Sequence, residues 1–166
     1  MTIKISERIP EVTIQVMGES GPEGVTSGDF FSGKRVVLFA VPGAFTPTCS
    51  ARHLPGFIAA ADDMMAKGVD VIACLSVNDA WVMDAWGKDQ GVGNKIVMLA
   101  DGSGHLTRAL GLELDRTSGG MGMRSRRYAM VIDDGRVHGG LGVLCESTFV
   151  QSVGVFHGAW ATGFLP

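Results

Sequence analysis

The sequence predicts a one-domain α/β layer fold. Short β-branched and aromatic runs recur along the chain, and stretches of helical period separate them. An apolar share of 46% in 166 residues is enough to bury one core.

The first run, residues 36–41 (VVLFAV), follows the Gly33-Lys34 turn and reads as a strand buried on both faces. Residues 48–67 carry a helical pattern closed by Gly68, with a kink predicted at Pro55 because proline cannot donate to the helical ladder. A second strand falls in residues 69–77 (VDVIACLSV). Residues 79–90 read as a helix capped by Asn78 and closed by Gly91. A third strand at residues 96–100 (IVMLA) and a short helix at residues 105–110 follow, then a loop around residues 117–122. Residues 128–132 (YAMVI) form the last core strand, before an Asp134-Gly135 turn.

Composition breaks near Arg136. Of the 14 basic and 17 acidic side chains, all but Glu146 lie at or before that residue, and the remainder is apolar and glycine-rich without helical period. The sequence therefore divides into residues 1–136, one domain, and residues 137–166, an atypical tail.

A net charge of -3 offers no basic stripe for phosphates, which argues against nucleic acid as a partner. The longest uncharged runs are broken by Gly and Pro and none reads as a spanning helix, and the charged start MTIKISERIPEV lacks the features of a signal peptide, so a cytoplasmic location is expected. Cys49, Cys74 and Cys145 are odd in number and widely spaced, unlike a secreted disulfide framework, and no CxxC is present. Neither the cysteines nor His53, His105, His138 and His157 stand at zinc spacing, so no metal is expected.

The chemistry concentrates in residues 41–50, VPGAFTPTCS, which follow a strand and open a helix. With Thr46 as N-cap, Pro47 takes the first helical position and Cys49 the third. Unpaired N–H groups and the helix dipole favour a thiolate there, and Thr46 can aim its hydroxyl at the same place. Ionisation alone gains roughly tenfold in nucleophile over a free thiol near neutral pH. Rapid nucleophilic attack needs more, namely donors that stabilise charge on the departing atom. Thr46, the N–H groups of residues 44–49 and an arginine are the available suppliers.

The P-x3-T-x2-C pattern of Pro42, Thr46 and Cys49 resembles the peroxidatic motif of the peroxiredoxins. The seventeen residues VPGAFTPTCSARHLPGF are similar to the type-five, or plant type-two-like, branch. The likeness continues through residues 77–88, 99–115 and 124–135 and covers about 135 residues. It implies a thioredoxin-like fold, a central mixed β-sheet flanked by helices, with Cys49 as peroxidatic cysteine, Thr46 as its hydrogen-bonding partner and Pro42 as a shield. It further implies that Arg127, directly before the last core strand, completes the site, in preference to Arg124 or Arg126. Reduction of hydrogen peroxide or alkyl hydroperoxides, without cofactor, is the expected activity. Glutathione, glutaredoxin or thioredoxin is the implied reductant and a homodimer the implied assembly. A peroxide sensor or relay would use the same residues. Some members of the branch close a disulfide with a second cysteine near the carboxyl end, a role open to Cys145; the expectation here is a one-cysteine cycle.

Other residues have plainer readings. Cys74 reads as a packed strand residue, and His53 as a support of the loop rather than an aid to ionisation. Trp81, Met83 and Trp86 read as the packed face of a helix and part of a subunit interface. Asp62, Asp63, Asp133 and Asp134 read as solvated carboxylates.

Overall fold

The computed structural model describes residues 1–143, with side chains through Gly139. β1 (Thr13–Gly18) and β2 (Gly21–Thr26) form a hairpin, followed by α1 (Ser27–Phe31) and β3 (Arg35–Val41). A wide π-turn (Cys49–His53) leads into α2 (Leu54–Ala66), then β4 (Val71–Ser76), α3 (Ala80–Asp89), β5 (Val97–Ala100) and α4 (His105–Ala109). β6 (Glu113–Arg116) and β7 (Gly122–Ser125) make a separate two-stranded ribbon, and β8 (Tyr128–Asp133) and β9 (Arg136–Val143) complete the chain's main sheet.

That sheet has seven strands in the order β2-β1-β5-β4-β3-β8-β9. β3, β4 and β5 run parallel, whereas β8 joins β3 antiparallel, so the sheet is mixed. Alternation along β3 divides the core. Val37, Phe39 and Val41 pack with Phe57 and Ala61 of α2 and with Met83 and Trp86 of α3. Val36, Leu38 and Ala40 pack on the opposite face with Phe31, Leu106 and Tyr128. Phe39 and Phe57 stack at a centroid distance of 3.8 Å, which seats α2 on the centre of the sheet.

The four strands and the helices read from sequence are present; the two hairpins and β9 were not foreseen. The sheet runs past the composition break, since β9 pairs with β8 as far as Val143 opposite Tyr128. One local expectation is corrected. Asn78 does not cap α3: Asp79 does, accepting the Val82 N–H at 2.9 Å. Pro55 stands in the first turn of α2, and the turn just before it is widened, with the Leu54 N–H donating to the Cys49 carbonyl five residues back. Cys145 lies outside the described residues.

Candidate active site

β3 delivers the chain at Val41 into the heart of the molecule, and residues 42–46 turn it into a helix. Phe45 makes the reversal with a left-handed φ of 59°, and the Ser50 N–H donates to the Thr46 carbonyl at 3.0 Å, closing the first turn. Cys49 therefore sits in that turn, as the spacing predicts. Its side chain is fully buried in the apolar cluster that contains Val41, Leu54, Phe57 and Trp86. The neighbouring turn is tied to α3, where the Trp86 Nε1–H donates to Ser50 Oγ at 3.0 Å.

Arg127 reaches this sulfur. Tyr128 pairs with Ala40, so the residue before it stands beside the end of β3, where the cysteine loop begins. Its Nη2 lies 3.6 Å from Cys49 Sγ. The rival arginines go elsewhere. Arg126 is exposed and donates from Nε to the Glu113 carbonyl, whereas Arg124 donates to the carbonyls of Met121 (2.8 Å) and Val77 (3.1 Å). Adjacent residues on an extended segment project oppositely, and only Arg127 meets the thiol.

Thr46 and Pro42 occupy the same loop, both half-buried. The Thr46 hydroxyl donates to the Gly43 carbonyl at 2.8 Å. Its hydrogen is thereby committed and its oxygen lone pairs remain to accept from an incoming O–H. The Ala44 N–H, one of the amides considered as a donor to oxygen, instead donates to Asn78 Oδ1 at 3.0 Å. Asn78 is thus part of the site's framework, a role its position before an apparent helix start concealed.

His53 is buried on the turn after Cys49. Burial, reinforced by the positive charges of Arg127 and Arg52, depresses its pKa to about 4. A neutral imidazole at pH 7 lends no positive charge to a thiolate. Cys74 is packed within β4, opposite Phe39 and Met98, and burial together with the nearby Cys49 pushes its thiol well up. Trp86 and Met83 are buried, but Trp81 is 64% exposed, so the three do not share a packed face. Asp62 pairs with Lys95, Asp133 with Arg35, and Asp134 accepts the Gly33 N–H. Among the described residues, no group of three or more His, Cys, Asp or Glu is placed to hold a metal.

A thiol at a helix start under an arginine is an arrangement for nucleophilic sulfur chemistry. Comparison with known proteins supplies its family. The redoxin profile matches residues 4–140. Peroxiredoxin-2E of Arabidopsis thaliana chloroplasts is 48% identical over 140 residues, covering 82% of this chain. The chain belongs to the redoxin family, among its peroxiredoxins. Peroxiredoxin-2B of the same plant is 48% identical over 136 residues, which cover 81% of this chain and 84% of that protein. By contrast, the match covers only 60% of the chloroplastic protein. Reduced Prx3 from Vibrio vulnificus, solved in complex with H2O2, superposes with a TM-score of 0.83 at 51% identity, covering 87% of this chain and 89% of that one. This peroxiredoxin chain thus has the thioredoxin-like architecture that its motif implies.

Proposed function

We propose that this chain is a thiol-dependent peroxidase that reduces hydrogen peroxide and alkyl hydroperoxides through Cys49. The observation that carries this reading is the Arg127 guanidinium on a sulfur held in the first turn of a helix. The Cys49 thiolate attacks the terminal peroxide oxygen, an S–O bond forms as the O–O bond breaks, and the departing oxygen takes up a proton equivalent to the one the thiol lost on ionising and leaves as water or alcohol. Cys49 is left as a sulfenic acid. Arg127 holds the sulfur and the developing charge, Thr46 accepts the hydroperoxide O–H, and Pro42 shields the thiolate from water.

An external thiol then attacks the sulfenic sulfur and releases water, and a second thiol frees Cys49 by exchange. Glutathione with glutaredoxin, or thioredoxin, fills this role, and the reducing cytoplasm suits free cysteines. We assign the chain to a homodimer. Three large apolar side chains are exposed close in sequence to the site framework: Phe45 (53%) beside Ala44, Trp81 (64%) three residues after Asn78, and Met123 (46%) beside Arg124. Exposed apolar side chains of this size are suited to a subunit contact.

The reading is tested by adding hydrogen peroxide in stopped flow and trapping Cys49 with dimedone, then measuring turnover with each reductant. A trapped sulfenic acid and repeated turnover are expected. No adduct at Cys49 overturns the peroxidase; one oxidation without turnover in any thiol system would favour a relay to a partner protein.

A further inference from the structure

We propose that Asn78 is a positioning residue for the peroxide reaction, acting on the Thr46 hydroxyl through a single peptide plane. This rests on the peroxidase reading above. Capping of α3 is done by Asp79, so the Asn78 side chain is released from that task. Its Oδ1 instead receives the Ala44 N–H at 3.0 Å, the Ser76 hydroxyl at 2.7 Å and, more distantly, Arg124 Nη1 at 3.5 Å. The donors come from the cysteine loop, the end of β4 and β7.

The Ala44 N–H and the Gly43 carbonyl belong to one peptide group. That group is planar and trans, so fixing the direction of its N–H fixes its carbonyl on the opposite side. The Gly43 carbonyl is the acceptor of the Thr46 hydroxyl at 2.8 Å. Asn78 therefore dictates where the Thr46 hydrogen points and which lone pairs face the reacting oxygen, without itself touching substrate. Arg124 lies close to the same residue, since a Cβ placed on Gly43 would come within 3.3 Å of its Nη1. Arg124 is held in turn by the Met121 and Val77 carbonyls. Without Asn78 the peptide can rotate, and the Thr46 hydroxyl loses its fixed acceptor.

The test is a cycle of Asn78→Ala, Thr46→Val and the double variant, read as the rate of Cys49 oxidation by hydrogen peroxide. Alkylation of Cys49 by iodoacetamide is measured alongside. Misplacement of a reacting group by about 1 Å costs roughly a hundredfold, and a loss of up to that size is expected for Asn78→Ala. Alkylation, which needs the thiolate but no oriented hydroxyl, should stay near the parent rate. Asn78→Asp, which keeps the acceptor, should recover most of the lost oxidation rate. In the Thr46→Val background, Asn78→Ala should cost little more, because the two act as one unit. Additive losses, or alkylation falling in parallel with oxidation, overturn the proposal. If Asn78→Ala yields no folded protein, the cycle is run with Asn78→Ser, whose shorter side chain withdraws the same acceptor, under the same criteria. A parent protein inert to peroxide defeats the peroxidase reading, whereas a reactive parent with an unaffected Asn78→Ala variant defeats this inference alone.

Discussion

Cys49 and Cys74 are both fully buried and share one apolar cluster, yet their surroundings prepare them for different work. Cys74 lies in the middle of a parallel strand, its backbone spent on two neighbouring strands and its thiol pushed far towards the protonated form. Cys49 stands at a helix start, under the Arg127 guanidinium at 3.6 Å. Burial is common to both and so cannot confer reactivity. The difference is the guanidinium set against the sulfur, which only the loop-to-helix junction supplies.

The largest expected effect follows directly. Cys49→Ser should abolish peroxide consumption in a coupled assay, whereas Cys74→Ser should retain most of it, since it exchanges one small packed side chain for another. Substantial turnover by the Cys49 variant would erase the contrast between the two thiols. Next, Arg127→Gln should slow oxidation by more than the roughly tenfold available from ionisation alone, because it also removes stabilisation of the departing oxygen. Stopped-flow measurement at alkaline pH separates the two contributions. If the defect disappears there, Arg127 serves only to ionise the sulfur.

A smaller effect is expected at the loop itself. In Gly43→Ala the new methyl would lie 3.2 Å from Thr46 Cγ2, 3.3 Å from Arg124 Nη1 and 3.4 Å from Met121 Cε. The arginine and methionine ends can yield, but Thr46 cannot without disturbing its hydroxyl. Oxidation should therefore slow by less than in Arg127→Gln, with about 1 kcal/mol of stability lost, the low end for overpacking. Denaturant melts and peroxide kinetics on the same variant check both halves.

The parts of this molecule legible in its sequence are those whose signal is local. The central strands β3, β4, β5 and β8 are continuous apolar runs because both their faces are covered, and the proline, threonine and cysteine of the loop stand at fixed spacing from a helix start. The β1-β2 hairpin is illegible because GPEGVT carries two glycines and a proline on a strand with no buried residue, whose order comes from pairing with β1. β9 hides in a glycine-rich segment and is defined by its partner β8. Asn78 and Asp79 are both good helix caps, and local pattern alone cannot choose between them. The choice is made by Ala44, 34 residues earlier, whose N–H takes Asn78.

The subtlest difference between the two thiols concerns the titrating neighbour that only Cys49 has on its own helical turn. Burial first, then Arg127 and Arg52, lower the His53 pKa from 6.5 to about 4. Between those values the unfolded chain binds a proton that the folded chain refuses. The resulting stability is fully present above pH 6.5 and is lost as the pH falls towards 4. Within that window this one group contributes a slope of at most about 1.4 kcal/mol per pH unit. His53→Gln should flatten the dependence of the melting midpoint on pH between 4 and 6.5 while leaving the curve above pH 7 nearly parallel to the parent's. Arg127→Gln should flatten it partly, by removing one of the charges that oppose the imidazolium. An unchanged slope in His53→Gln would mean that the imidazole titrates normally and that the pocket around Cys49 is open to water in a way the Cys74 strand is not.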